Sequence, residues 1–213
     1  MGGTDIVGTT NVTDTIQKFS MVSDADATDV GNLTDAVRNL AGASSTTHGY
    51  AMGGYDNSSL QNMVDKFSFS SDGNATDVGN LTENAGQTPG GQQSETYGYT
   101  CGGQYNNQGP YTNAIDKFQL ATTNTSTNIA TLPGGTRSNY STSGISSSTD
   151  GYTVGGFITP PQSINVIEKF SFTSEGSAWD VGDLATIKSS ATNTSETSYG
   201  YIHSGSASPP NYT

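Results

Sequence analysis

The sequence predicts an all-β chain folded as a β-propeller of four-stranded antiparallel blades. Three observations predict it. A phrase ending in two glycines recurs about every fifty residues. Between its copies lie short alternating apolar segments separated by Gly-, Asn- and Asp-rich turns, and no apolar pattern of helical period persists. The composition is 31% apolar and 12% charged, which suits many short strands, while eleven Tyr and seven Phe provide material for an ordered core.

The glycine phrase reads Gly49-Tyr50-Ala51-Met52-Gly53-Gly54, then Gly98-Tyr99-Thr100-Cys101-Gly102-Gly103, then Gly151-Tyr152-Thr153-Val154-Gly155-Gly156. A worn copy stands at Gly200-Tyr201-Ile202-His203-Ser204-Gly205, and Met1-Gly2-Gly3 is a truncated one. After the first four copies come Ile16-Gln17-Lys18-Phe19, Val64-Asp65-Lys66-Phe67, Ile115-Asp116-Lys117-Phe118 and Ile167-Glu168-Lys169-Phe170. In this second phrase Met63, Asp65, Phe67 and Phe69 alternate with Val64, Lys66 and Ser68, so a strand with apolar residues on both faces is expected. A third phrase follows as Asp29-Val30-Gly31, Asp77-Val78-Gly79 and Asp180-Val181-Gly182, drifting to Asn128-Ile129-Ala130 in the third unit. Turn clusters such as Asp56-Asn57-Ser58-Ser59 and Ser71-Asp72-Gly73-Asn74 separate the strands. Residues 1–213 thus read as one domain with units of about 4–54, 55–103, 104–156 and 157–205.

A hydrophobic strand ending in Gly-Gly, an aromatic-bearing strand, a strand of the Trp-x-x-x-x-Leu kind and then a basic residue resemble the kelch repeat. The resemblance covers nearly the whole chain and implies a β-propeller, since kelch units have about this length and WD40 units are shorter. Trp179 stands at the usual Trp position, with Thr28, Thr76 and Thr127 in its place elsewhere; Arg38, Arg137 and Lys188 hold the basic position. The wording Asp-Lys-Phe-Ser-Phe with Ala-Thr-Asp-Val-Gly-Asn-Leu-Thr also resembles repeat proteins of marine bacteriophages and bacteria. That resemblance implies a virion or extracellular-surface setting.

The first strands are expected to be the third and fourth of a blade and the last strands the first and second. Pairing them would complete one blade, make four in all and remove two bare sheet edges. A larger ring to which the chain contributes is the other reading.

The formal net charge is −12, which opposes phosphate backbones and anionic lipid, so neither nucleic acid nor membrane insertion is expected. No apolar run of spanning length and no signal-peptide pattern is visible. Cys101, the single cysteine, sits at a repeat position shared with Met52, Val154 and His203 and is expected to be a buried small hydrophobe. Its position also argues against a copper radical oxidase of the kelch-like kind, whose tyrosine–cysteine crosslink and two histidines would have to come from Cys101, His48 and His203. No carboxylate pair of the glycosidase type stands out from the repeat. The Asp-rich turns at 24–29 and 72–77 could offer oxygen ligands to calcium, but Asx turns account for the same residues, and no metal or cofactor is expected.

Lys18, Lys66, Lys117 and Lys169 share one repeat position and are expected to brace the fold against carboxylates such as Asp65 or Glu168. Gly54, Gly103, Gly156 and Trp179 are structural positions of the same kind. Recognition is expected instead in the loops that differ between units, through Tyr55, Tyr105, Asn106, Tyr111 and Phe157. Together these readings predict a non-catalytic structural or interaction module that engages other proteins of an assembly or surface glycans. A lectin-like carbohydrate-binding propeller is the alternative, and a glycosidase-like or metal-oxidase enzyme the third reading.

Overall fold

A computed structural model describes residues 3–4, 12–82, 90–106, 109–122, 125–133, 143–158 and 162–206. Among them there are strands and turns but no helix, and every strand pairing is antiparallel. The chain opens with a three-stranded sheet of β1 (Gly3–Thr4), β2 (Val12–Lys18) and β3 (Thr28–Val37). A four-stranded meander follows: β4 (Ala41–Ser44), β5 (His48–Met52), β6 (Met63–Ser68) and β7 (Thr76–Asn80).

The next sheet has the same form, with β8 (Gly90–Gln93), β9 (Tyr97–Cys101), β12 (Ala114–Gln119) and β13 (Thr127–Thr131) in that spatial order. The small hairpin β10 (Gln104–Asn106) and β11 (Gly109–Tyr111) interrupts it. The third repeats the pattern with β14 (Ser143–Ser146), β15 (Asp150–Val154), β17 (Gln162–Ser171) and β18 (Trp179–Lys188), and β16 (Phe157–Ile158) pairs with the start of β17. The hairpin β19 (Thr192–Ser195) and β20 (Gly200–His203) ends the series. Each complete sheet therefore joins the end of one sequence unit to the start of the next. Three full sheets and two partial ones are present, and among the described residues β20 pairs only with β19.

The three recurrent phrases each have a physical task. Gly53 and Gly54 close the second strand of the first full sheet at φ +64° and +111°, and Gly102–Gly103 and Gly155–Gly156 take nearly the same angles, which favour glycine. The Asp-x-Gly phrase forms a clamp: Asp29, Asp77 and Asp180 accept hydrogen bonds from the amides of Gly31, Gly79 and Gly182 at 3.1, 3.0 and 2.9 Å. Register shifts between Ile16 and Gln17 and between Ile167 and Glu168 lie directly opposite, so the phrase marks a β-bulge. The Ile/Val-x-Lys-Phe phrase supplies the third strand, whose apolar residues enter two interfaces at once.

The core lies between sheets. One cluster joins Tyr50, Met52, Val64 and Leu81 of the first full sheet to Phe118 and Leu120 of the second. The next joins Tyr99, Cys101, Ile115 and Leu132 to Phe170, with Phe172 packed against it from the third sheet. A third joins Ile16, Leu33 and Val37 of the opening sheet to Ala51, Met63 and Ala75. The first strands of the successive sheets, β4, β8, β14 and β19, stand side by side in that order. Their backbones approach closely because Gly91 faces Gly42 and Gly144 faces Gly91; a Cβ at either would lie 2.3 Å from a backbone oxygen.

Candidate functional site

Among the described residues Lys18, Lys117 and Lys169 pair with acids, none of them the Asp65 or Glu168 that the sequence suggested. Lys66 and Asp65 are neighbours on one strand, so their side chains leave opposite faces of the sheet. Lys18 instead pairs with Asp72, and Lys117 with Glu175, each acid lying on the turn of the following sheet. Lys169 lies 3.4 Å from Asp150. Lys66, Lys117 and Lys169 also lie over aromatic rings, with Lys117 3.9 Å from the ring centre of Tyr97 and Lys169 5.6 Å from that of Trp179.

The strand carboxylates serve a second kind of joint. Buried Asp65 accepts from the Thr34 amide at 2.6 Å and its hydroxyl at 2.7 Å. Buried Asp116 accepts from the Thr82 amide and hydroxyl at 2.7 and 2.6 Å. The next unit has Pro133 in the threonine's place, with no amide hydrogen to give, and Glu168 accepts from the Thr153 hydroxyl at 2.9 Å. Burial raises the Asp65 carboxyl above its usual 3.8, while the two Thr34 bonds oppose the rise.

The variable loops expected to recognise partners all follow the second strand of a sheet, so a meander places them at one end. Tyr55 is half-buried, bridges Arg38 and Leu60, and has the Arg38 guanidinium 5.4 Å from its ring centre. Asp56 organises the turn below it, accepting from the Ser58 and Ser59 amides at 2.7 and 2.6 Å and from Gln61 Nε2 at 2.8 Å. Burial acts to raise this carboxyl, but the Ser58 and Ser59 bonds outweigh it and bring it to about 2. Tyr105 and Asn106 lie on β10, and Tyr111, half-buried, ends β11 opposite Gln104. Phe157 is half-buried on β16. Pro160 and Pro161 of the same loop, like Arg137, lie outside the described residues.

Sequence reasoning missed a cavity at the opposite end. It has a volume of about 790 Å3 and is lined by Ser44, Gln93, Ser146 and Ser195, one from each of β4, β8, β14 and β19, with Asn193 and the turn residues beyond. The Ser44 amide donates to Gln93 Oε1 at 2.5 Å, and the Gln93 amide donates to Ser146 Oγ at 2.8 Å, so neighbouring sheets are linked around it. Among the described residues its lining offers hydroxyls, amides and the Glu95 carboxylate, and no cation. The signal was present in the sequence as Ser44-Ser45, Gln93-Ser94, Ser146-Ser147 and Ser195-Glu196, each five and four residues before the glycine of a Gly-Tyr phrase. Ser45, Ser94 and Ser147 each cap a tight turn, accepting from the amides of His48, Tyr97 and Asp150 at 3.0 Å.

Cys101 is fully buried and donates to Gln92 Oε1 at 3.1 Å. Burial, with the Glu168 and Asp116 charges adding to it, pushes its thiol well above the ordinary range. His48 Nδ1 lies 2.8 Å from Thr47 Oγ1 and His203 Nδ1 lies 2.9 Å from Thr192 Oγ1, each histidine engaged within its own hairpin. Among the described residues no three His, Cys, Asp or Glu side chains are grouped to hold a metal, and no helix is long and apolar enough to cross a membrane. Comparison with protein-family models finds no match, and comparison with curated proteins finds no relative.

Proposed function

We propose that this chain is a non-catalytic, kelch-like propeller of four blades, the fourth completed by its first and last partial sheets. It serves as a structural and interaction module on a virion or extracellular appendage, where it contacts other assembly proteins. One observation carries this reading: the repeat positions able to do chemistry are engaged in holding sheets together. Lys18 and Lys117 reach acids on the next sheet, Asp65 and Asp116 hold threonines of the preceding one, and Cys101 is sealed in the core. What differs between units is the set of loops around Tyr55, Tyr111 and Phe157, which is where a partner would be distinguished. The test is proteomic. The protein should be enriched in purified particles or cell-surface fractions, and its restriction to the soluble cell contents would sink the reading.

A second reading is carbohydrate binding, favoured by the hydroxyl- and amide-lined cavity at the opposite end. Neutral polyhydroxylated ligands match such a lining better than anionic ones do, given the net charge of −12. A glycan array probed with the wild type and Gln93→Ala should show binding that the substitution weakens. No binding with or without divalent ions would dispose of it.

A further inference from the structure

The last full sheet carries an unfilled seat. A groove of about 360 Å3 is lined by Tyr152, Val154, Ile167 and Leu184, with Tyr199 and Ile202 across from them. Residues at the same four repeat positions fill the two earlier interfaces. Tyr50, Met52, Val64 and Leu81 pack against Phe118 and Leu120, and Tyr99, Cys101, Ile115 and Leu132 pack against Phe170 and Phe172. In the first unit, Phe19 and Met21 hold the positions of Phe118 and Leu120, and they stand 64% and 90% exposed.

We propose that Phe19 and Met21 of the same chain occupy this groove, with β2 paired along β20. The register is that of β5 with β6, where Gly49 faces Phe67 and Tyr50 faces Lys66. Carried over, Gly200 faces Phe19, Tyr201 faces Lys18, Ile202 faces Gln17 and His203 faces Ile16. The inference rests on the four-blade reading and specifies its closing joint.

Three features fit. Gly49, Gly98 and Gly151 each lie under a phenylalanine ring, with a built Cβ only 2.2, 2.2 and 2.3 Å from the ring's Cζ, whereas Gly200 meets only the Ile145 side chain. Among the described residues both strand edges are open: β2 is covered on that side by β1 only at Val12 and Thr13, and Tyr201 is 53% exposed. The threonine–carboxylate tie, Thr34 to Asp65 and Thr82 to Asp116, has lost both members here, where Ala185 would meet Gln17. Ala185 has no hydroxyl to give and Gln17 carries no charge, so the two strands can meet without leaving a buried carboxylate uncompensated.

The same chain is the occupant because Ser44 and Ser195, from β4 and β19, already line one cavity. A tether between nearby edges gives an effective concentration in the millimolar range, roughly, that a second copy must outcompete.

Mild oxidation of Lys18→Cys/Tyr201→Cys should give a disulfide within a monomer, identified by peptide mapping, while Lys18→Cys/Tyr199→Cys, two residues out of register, should give little. Cys101 is buried and leaves the introduced pair alone. Wild-type amide exchange provides the variant-free measurement: residues 200–203 should be protected as residues 49–52 are. Gly200→Ala should lower the unfolding midpoint as Gly98→Ala does. Disulfide-linked dimers and ladders would overturn the same-chain occupant while leaving blade completion standing. A monomeric disulfide mainly in the out-of-register pair would overturn the register alone. Neither disulfide together with unprotected amides at 200–203 would overturn both the joint and the four-blade reading.

Discussion

Phe118 lies so close over Gly98 that a methyl group there would stand 2.2 Å from its Cζ. The ring then continues into the neighbouring sheet, 5.5 Å from the Tyr50 ring centre. One residue thus fixes the spacing of two strands in its own sheet and the seating of the sheet before it. Gly98→Ala should cost about 1–3 kcal/mol by overpacking, and Phe118→Ala about 3–5 kcal/mol by leaving a cavity. In the double variant the added methyl meets no ring, so its cost should fall short of the sum. Denaturant unfolding of the three variants measures the coupling.

The Thr82–Asp116 joint predicts a different kind of loss. Thr82→Val keeps the shape and removes a hydroxyl bond to a buried carboxylate, at a cost of about 1.5–3 kcal/mol. Thr131→Val, whose hydroxyl lies 3.3 Å from Ser177 Oγ at an exposed position, should change stability by less than about 1 kcal/mol, within the range of a weak neutral bond.

Asp65 and Asp56 respond to pH with opposite sign. Burial raises Asp65, so the folded state holds its proton more tightly than the unfolded chain. Its contribution should therefore decline as pH rises from 3.8 through the raised value, and Asp65→Asn should remove that slope from the unfolding free energy. Asp56 is lowered from 3.8 to about 2, so its contribution is present above 3.8 and is lost as pH falls toward 2. Carboxyl NMR should find Asp56 titrating near 2 and moving only part of the way up to 3.8 in Ser58→Ala/Ser59→Ala, which removes the two hydroxyl bonds and keeps the two amide bonds.

Lys117→Met should destabilise by about 1 kcal/mol, combining a cation–aromatic contact with a partly exposed ion pair. Part of that gap is screened, so the difference from wild type should narrow between low and high salt. An unchanged gap would assign the whole effect to the Tyr97 contact.

Much of this architecture was legible in the chain. Glycine pairs at 53–54, 102–103 and 155–156 end the second strands because their positive φ suits glycine, and that demand is local. The alternation of Val64, Lys66 and Ser68 against Met63, Asp65 and Phe67 marks β6, since pleat periodicity is equally local. Lysine partners were not legible. Asp65 lies beside Lys66 in sequence but across the sheet from it, and Lys117 meets Glu175 only because the following sheet brings that turn within reach.

The recognition site divides in the same way. Loop variability drew attention to Tyr55, Tyr111 and Phe157, and the fold places their loops after each second strand. The cavity bounded by Ser44, Gln93, Ser146 and Ser195 required knowing that the four first strands run side by side. Serines before a Gly-Tyr phrase look like turn residues, and Ser45, Ser94 and Ser147 are.

Sequence alone determined the repeat, the strand order within each sheet and the residues that turn the chain, because dihedral preference and pleat periodicity act over a few residues. Tertiary structure decided which residues meet between sheets: Phe118 with Tyr50, Thr82 with Asp116, Lys117 with Glu175. Those contacts depend on the spacing of whole sheets, which glycine contacts at Gly42, Gly91 and Gly144 set, and no local preference encodes that distance.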